Sequence, residues 1–148
     1  MARQKQLVRI RLESRQEDER TVHEYDGEWV IKERSGYLLY EEHDEGGHPV
    51  KTTIRVHPDE LSIVRRGAVV SEQRYIKGLR QAGEYSTKGL RFRLETVTDL
   101  LTITSAKAAD SGLLPLPLDI SWSYTLWMDE QHIGRFELRL YIEEADQS

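Results

Sequence analysis
The chain has no cysteine among its 148 residues. That excludes a disulfide framework, a thiolate nucleophile and a cysteine-ligated zinc site. Long apolar runs are also missing. None approaches the roughly 20 residues a membrane-spanning helix needs, and the first residues lack the apolar centre of a signal peptide. A soluble, cytoplasmic protein with no membrane partner is the expectation. There is no excess of positive charge either. A formal net charge of -5 argues against the diffuse phosphate attraction behind most nucleic-acid affinity, so no nucleic-acid partner is expected. The cluster Arg3, Lys5, Arg9 and Arg11 alternates with Val8, Ile10 and Leu12. It reads as the wet face of a first strand.

Helical periodicity is absent as well, and a period of two stands in its place. Leu116, Leu118, Ile120, Trp122, Tyr124, Leu126 and Met128 occupy successive even positions, and the same parity resumes at Phe136, Leu138, Leu140 and Ile142. Between them lie Asp119, Ser121, Ser123, Thr125, Arg135, Glu137 and Arg139. Such alternation places one face of a strand in a dry interior and the other in water. The pattern predicts a long antiparallel hairpin at the end of the chain.

Shorter strands are expected before it. The first covers about Gln6 to Ser14, followed by a charged stretch from Arg15 to Glu24 that is either a solvated loop or a continued edge strand. Gly27 opens a strand carrying Trp29 and Ile31 to Arg34, and Ser35-Gly36 turns into Tyr37 to Glu42. His43 to Pro49 has the composition of a hairpin loop. Further strands are expected at Val50 to Val56, Leu61 to Arg65, Ala68 to Ile76, Glu84 to Thr87, Leu90 to Thr96 and Leu100 to Thr104. Ala106 to Gly112 is the one helix-tolerant piece, too short to stand alone. With 32% charged residues and a mean hydropathy of -0.64, the chain suits a single domain with one wet sheet face. Many short strands joined by tight turns make an all-β antiparallel meander. Closing it into a barrel of about 8–10 strands is the simplest way to remove exposed edges. A two-sheet sandwich is the alternative.

Within that order, several motifs carry a resemblance. They are Tyr37-Leu38-Leu39-Tyr40-Glu41-Glu42, Thr52-Thr53-Ile54, Ile63-x-Arg65-x-Gly67, Tyr85-x-Thr87-x-Gly89 and the terminal hairpin around Ser123-Tyr124. From Gly27 to Ile142 the chain resembles the YwiB-like proteins, a bacterial family of unknown function. The resemblance implies a calycin-like, lipocalin-like β-barrel. It implies no catalytic residues.

Candidate site residues come from asking which polar side chains share parity with the dry face. Glu33 follows Trp29 and Ile31, Glu41 follows Tyr37 and Leu39, and Arg65 follows Leu61 and Ile63, each at two-residue steps. Pointing inward, one arginine would face two carboxylates, paired because isolated buried charge is prohibitive. Its planar fork would also suit a carboxylate or phosphate. The competing reading puts all three at strand ends in water, where long charged residues usually lie. Ser71, Gln73 and Tyr75 form a neutral inner face, with Thr52, Thr87, Thr96 and Tyr124 of similar standing. These could orient a ligand in a mostly apolar pocket, or simply fill a small barrel.

Familiar catalytic signatures are not found. Gly83 to Gly89 holds the letters of a phosphate loop, but Lys88 follows the hydroxyls and no helix is expected after it. No Gly-x-Ser-x-Gly elbow exists. His43, Asp44, Glu45 and His48 share a loop, but two glycines between them make poor metal-ligand spacing. No metal and no cofactor is expected. The leading expectation is a non-catalytic barrel binding a small, partly apolar, anionic ligand, lined by Arg65, Gln73, Tyr75, Trp122 and Tyr124 with Glu33 and Glu41. It requires an internal void. The alternative is a filled barrel acting as a protein-interaction or self-association module, a homodimer for example, with Trp127 and Tyr141 in an exposed patch. An enzyme using Glu33 or Glu41 as general acid or base is the least supported reading, for want of an orienting partner.

Overall fold
The computed structural model describes residues 4–105 and 115–145. They form ten antiparallel strands: β1 (Gln4–Gln16), β2 (Glu19–Lys32), β3 (Ser35–His43), β4 (Pro49–His57), β5 (Glu60–Gly67), β6 (Val69–Tyr75), β7 (Arg80–Thr87), β8 (Leu90–Ser105), β9 (Leu118–Met128) and β10 (Gln131–Glu144). Each strand pairs with its sequence neighbours, and β1 also pairs with β10, which closes the barrel. No helix occurs among the described residues. The expected closed meander forms, and the sandwich does not. The helix-tolerant Ala106 to Gly112 lies outside the described residues.

Several strands are longer than the local pattern suggests. The charged Arg15 to Glu24 stretch is strand throughout except for a two-residue turn at Glu17-Asp18, with Gln16 opposite Glu19. β8 joins two expected strands across an irregularity between Thr98 and Leu100. That extra residue switches the inner parity. Leu94, Thr96 and Thr98 face in on one side of it, whereas beyond it Leu100 is exposed and Leu101 and Ile103 pack against the core.

The inner parity of β3 also differs from expectation. Tyr37, Leu39 and Glu41 were the inward set by apolar pattern, yet Leu38, Tyr40 and Glu42 face in, and Leu39 is 39% exposed. The turn explains it. With only Glu33 and Arg34 between strands, Trp29 lies opposite Leu38 and Ile31 opposite Gly36. Residues directly opposite share a face, so the inward parity passes from odd on β2 to even on β3. Four consecutive apolar residues, Tyr37 to Tyr40, conceal that step. Gly36 is required here, because a Cβ would collide with the Trp29 ring.

One end of the barrel is filled. Val8, Ile10, Trp29, Leu38, Ile54, Val56, Leu61, Leu118, Ile120, Trp122, Leu140 and Ile142 are each at most 1% exposed. We call this end the floor. Toward the other end, where the turns at Glu17-Asp18 and Asp44 to His48 lie, burial is uneven: Val50, Thr52, Ser71 and Leu94 are at most 3% exposed, whereas other inward side chains are only partly buried. They include Leu12, Tyr25, Leu126, Phe136 and Leu138. We call this end the mouth.

Candidate functional site
Polar side chains gather where floor meets mouth. The ladder brings Tyr40 of β3 opposite Thr52 of β4, Thr52 opposite Arg65 of β5, Arg65 opposite Ser71 of β6, and Ser71 opposite Tyr85 of β7. These residues make one inward row across five strands. Glu42, one inward step from Tyr40 toward the mouth, reaches into the row. Its carboxylate accepts hydrogen bonds from Thr52 Oγ1 at 2.7 Å, Arg65 Nε at 2.9 Å and the Tyr40 hydroxyl at 3.3 Å. The pair is not sealed off: the side chains of Arg65 and Glu42 keep 25% and 16% of their exposure.

Glu42 fixes one edge of the guanidinium through Nε. Among the described residues, the hydrogen bond of the Arg65 guanidinium is the one from Nε to Glu42. Ser71, directly across the ladder, is 3% exposed, and its Oγ is buried without a hydrogen-bond partner. Buried hydroxyls normally have partners; Thr98 Oγ1 and the indole nitrogens of Trp29 and Trp122 are likewise buried without one.

Tyrosines surround the pair. Tyr25 and Tyr40 have ring centroids 4.7 Å apart, as do Tyr75 and Tyr124, and Tyr124 stacks on Phe136 at 5.5 Å. Burial pushes the Tyr40 hydroxyl far above its ordinary value; the Glu42 charge adds to this and Arg65 opposes it. Tyr25 is raised by the same causes in the same order. Burial raises Tyr75, helped by Tyr124, and burial also raises Tyr124. For Arg65, burial pulls the pKa down, but the Glu42 carboxylate and its hydrogen bond outweigh that and raise it. The chemistry on offer is therefore one permanent cation, one carboxylate and the phenols of Tyr25, Tyr40, Tyr75, Tyr85 and Tyr124.

Two of the expected site residues are elsewhere. Glu33 occupies the β2–β3 turn at φ 60° and is exposed. Glu41 is exposed on the outer wall, with its Oε2 3.7 Å from His43 Nε2. Both followed from carrying one parity through the Glu33-Arg34 turn. Arg65, Tyr75 and Tyr124 face inward as expected, and Gln73 is inward and half-buried. Trp122 is inward but belongs to the floor, its ring 6.0 Å from that of Tyr75. Sequence reasoning missed Glu42 and Tyr40, which pairing arithmetic across the two-residue turn would have found, and Tyr25, which extending the odd parity of Trp29 back along β2 would have found. The expected patch of Trp127 and Tyr141 does not form. Trp127 lies under the Arg80 guanidinium, 4.8 Å from the ring centroid, and against His132; Tyr141 is half-buried at the other end of the hairpin. In the His43 to His48 loop, Asp44 accepts from the backbone N–H groups of Gly46 and His48 and contacts the His48 ring. Its oxygens serve the loop.

Concavity alone would point elsewhere. A depression of about 340 Å³ on the outer wall is edged by Glu13, Arg15, Arg20, Arg135 and Arg139, and one of about 550 Å³ by Val30, Tyr37, Leu39 and Thr53. In the first, Arg20 pairs with Glu13, Arg135 with Asp99 and Glu137, and Arg139 with Asp119. The second gathers Lys5, Glu28 and Lys32 at its rim, and Lys5 pairs with Glu28. Neither depression is lined by Arg65 or Glu42, the one partly exposed charge pair that the inward row holds.

The strand order defines a class: closed, ten-stranded antiparallel β-barrels. The model of the family described as Domain of unknown function (DUF1934) matches residues 7–140, and the chain belongs to that family. It is 32% identical over 95 residues to the "Uncharacterized beta-barrel protein YwiB" of Bacillus subtilis (strain 168), and the match spans 64% of this chain and 64% of that protein. The crystal structure of ywiB protein from Bacillus subtilis superposes with a TM-score of 0.69 at 20% identity, covering 97% of this chain and 94% of that one. At this identity the likeness concerns the fold.

Proposed function
We propose that the protein is a non-catalytic, cytoplasmic binding barrel whose mouth takes a small, partly apolar ligand bearing one anionic group. The observation that carries this reading is Arg65. Glu42 holds it in place through Nε, solvent reaches it from the mouth, and the Ser71 hydroxyl across the ladder is buried without a partner. A guanidinium edge of this kind matches a carboxylate or a phosphate oxygen pair. Tyr25, Tyr124 and Phe136 offer apolar ring area for the rest of the ligand. A calycin-like, lipocalin-like mode of carriage accords with this layout, except that the ligand sits in the mouth only, above the filled floor. Glu42 already accepts three hydrogen bonds, which suits a positioning anion better than a general acid.

Native mass spectrometry of gently purified protein tests the reading. A discrete small-molecule adduct is expected on the wild-type chain and absent from Arg65→Ala, with unchanged far-ultraviolet circular dichroism. Calorimetric titration with octanoate, benzoate and inorganic phosphate supplies the second arm. A bare wild-type mass together with no heat from any of the three would overturn the proposal.

A further inference from the structure
The barrel closes over only part of β2. Gly27 to Lys32 pair with β3, but no described strand pairs with Glu19 to Asp26 on the side away from β1. The direction of the free backbone groups follows from the turns. Gln16 and Glu19 flank a two-residue turn, so they exchange hydrogen bonds as the closing pair of a hairpin. Odd residues of β2 therefore direct N–H and C=O toward β1, and even residues direct them away. The Lys32–Ser35 pair flanking the next two-residue turn requires the same parity. Arg20, Val22, Glu24 and Asp26 thus present unpaired backbone donors and acceptors along an open edge, which templates pairing with another strand.

The side chains on this edge complement their own reverse. We propose that β2 pairs with β2 of a second copy of this chain about a two-fold axis at Val22. In that antiparallel register Val22 meets Val22, Arg20 meets Glu24 and Glu24 meets Arg20. All are even residues, so each pair can exchange both backbone hydrogen bonds. Even β2 side chains lie on the outer wall, opposite in parity to Trp29 and Tyr25. Val22 there is 40% exposed, and Arg20 is already bridged to Glu13 at 3.0 Å. Moving the register by one pairing step sets Val22 against Glu24 and leaves it without an apolar partner. Because the contact is isologous, pairing consumes both edges and stops at the dimer. The pairing uses the backbone edge and outer face of β2, whereas Tyr25 of the same segment faces the mouth, so the test reads association and needs no ligand.

Sedimentation velocity on the full chain, over about 1 µM to about 1 mM to cover weak association, tests the proposal. The wild type is expected to dimerise reversibly. Val22→Pro removes a donor that points away from β1, a place where an edge strand tolerates proline, and is expected to sediment as a folded monomer. Glu24→Arg sets arginine against Arg20 and is expected to raise the dimer dissociation constant at least tenfold. The exchange Arg20→Glu with Glu24→Arg is expected to restore dimerisation. A wild type that stays monomeric throughout, a dimer that survives both Val22→Pro and Glu24→Arg, or an exchange that fails to restore pairing would each overturn it.

Discussion

Breaking the Glu42–Arg65 pair from both sides at once is expected to cost less than the sum of breaking it from each side. Exposed ion pairs contribute only about 0.2–1 kcal/mol, whereas stranding one partner of a fully buried pair costs about 3–5 kcal/mol. This pair lies between, with side chains 25% and 16% exposed and an Nε–Oε2 distance of 2.9 Å. Arg65→Met leaves the carboxylate with Thr52 and Tyr40 as donors and is expected to cost about 2–3 kcal/mol, within the range for a charged hydrogen bond and a stranded charge. Glu42→Leu strands a cation that is better solvated and is expected to cost about 1–2 kcal/mol. The double variant keeps apolar volume in both places and is expected to recover about 2 kcal/mol of the summed loss. Urea unfolding followed by circular dichroism reads this directly. With an m-value of about 2 kcal/mol/M, the Arg65→Met midpoint falls by about 1 M. Glu41→Gln, on the outer wall, is the control and is expected to stay within about 0.5 kcal/mol of wild type. Additive single effects, or a loss at Glu41 matching that at Glu42, would refute the placement of the pair.

Two further outcomes follow from the packing. Gly36→Ala puts a methyl group into the Trp29 ring and is expected to destabilise the barrel by about 1–3 kcal/mol, the usual cost of overpacking, with a change in tryptophan emission; an unchanged urea midpoint would contradict the β2–β3 register. At alkaline pH, Tyr25, Tyr40, Tyr75 and Tyr124 are expected to ionise above the ordinary tyrosine value, mainly because burial opposes their charged forms. Their folded pKa values are raised, so their contribution to stability is complete below about pH 10 and is lost as pH rises beyond it. Absorbance at 295 nm should show these four titrating at higher pH in the folded protein than in the urea-unfolded chain, and identical titration in the two states would refute the enclosed mouth.

The class of fold was legible because alternation is strict where one face is buried. Leu116 to Ile142 announces itself in that way, and both strands form in the expected phase. The candidate site was half legible. Arg65 follows Leu61 and Ile63 without interruption, so its parity could be read within a single strand. Glu42 could not, because Tyr37-Leu38-Leu39-Tyr40 is apolar at every position and only the length of the preceding turn fixes the phase. Leu100 shows the same limit on β8. An irregularity at Asp99 moves it outward, and nothing in the residue itself signals the extra step. The long β1–β2 hairpin was hidden for a different reason. Its upper half, Glu19 to Glu24, is exposed on both faces, so no alternation between dry and wet marks it as strand.

The division of the lumen into floor and mouth also bears on how such chains can diverge. Trp29, Trp122 and their aliphatic neighbours hold the barrel shut at one end, and each constrains the volume of the others. The row from Tyr40 to Tyr85 sits above that plug, on strands whose register the plug and the ladder already set. A substitution at Arg65, Ser71 or Tyr85 therefore alters what the mouth presents without asking the plug to repack. Changes in the row are expected to cost no more than unpairing Glu42 and Arg65 does, whereas a change in the plug calls for a compensating exchange among large apolar residues.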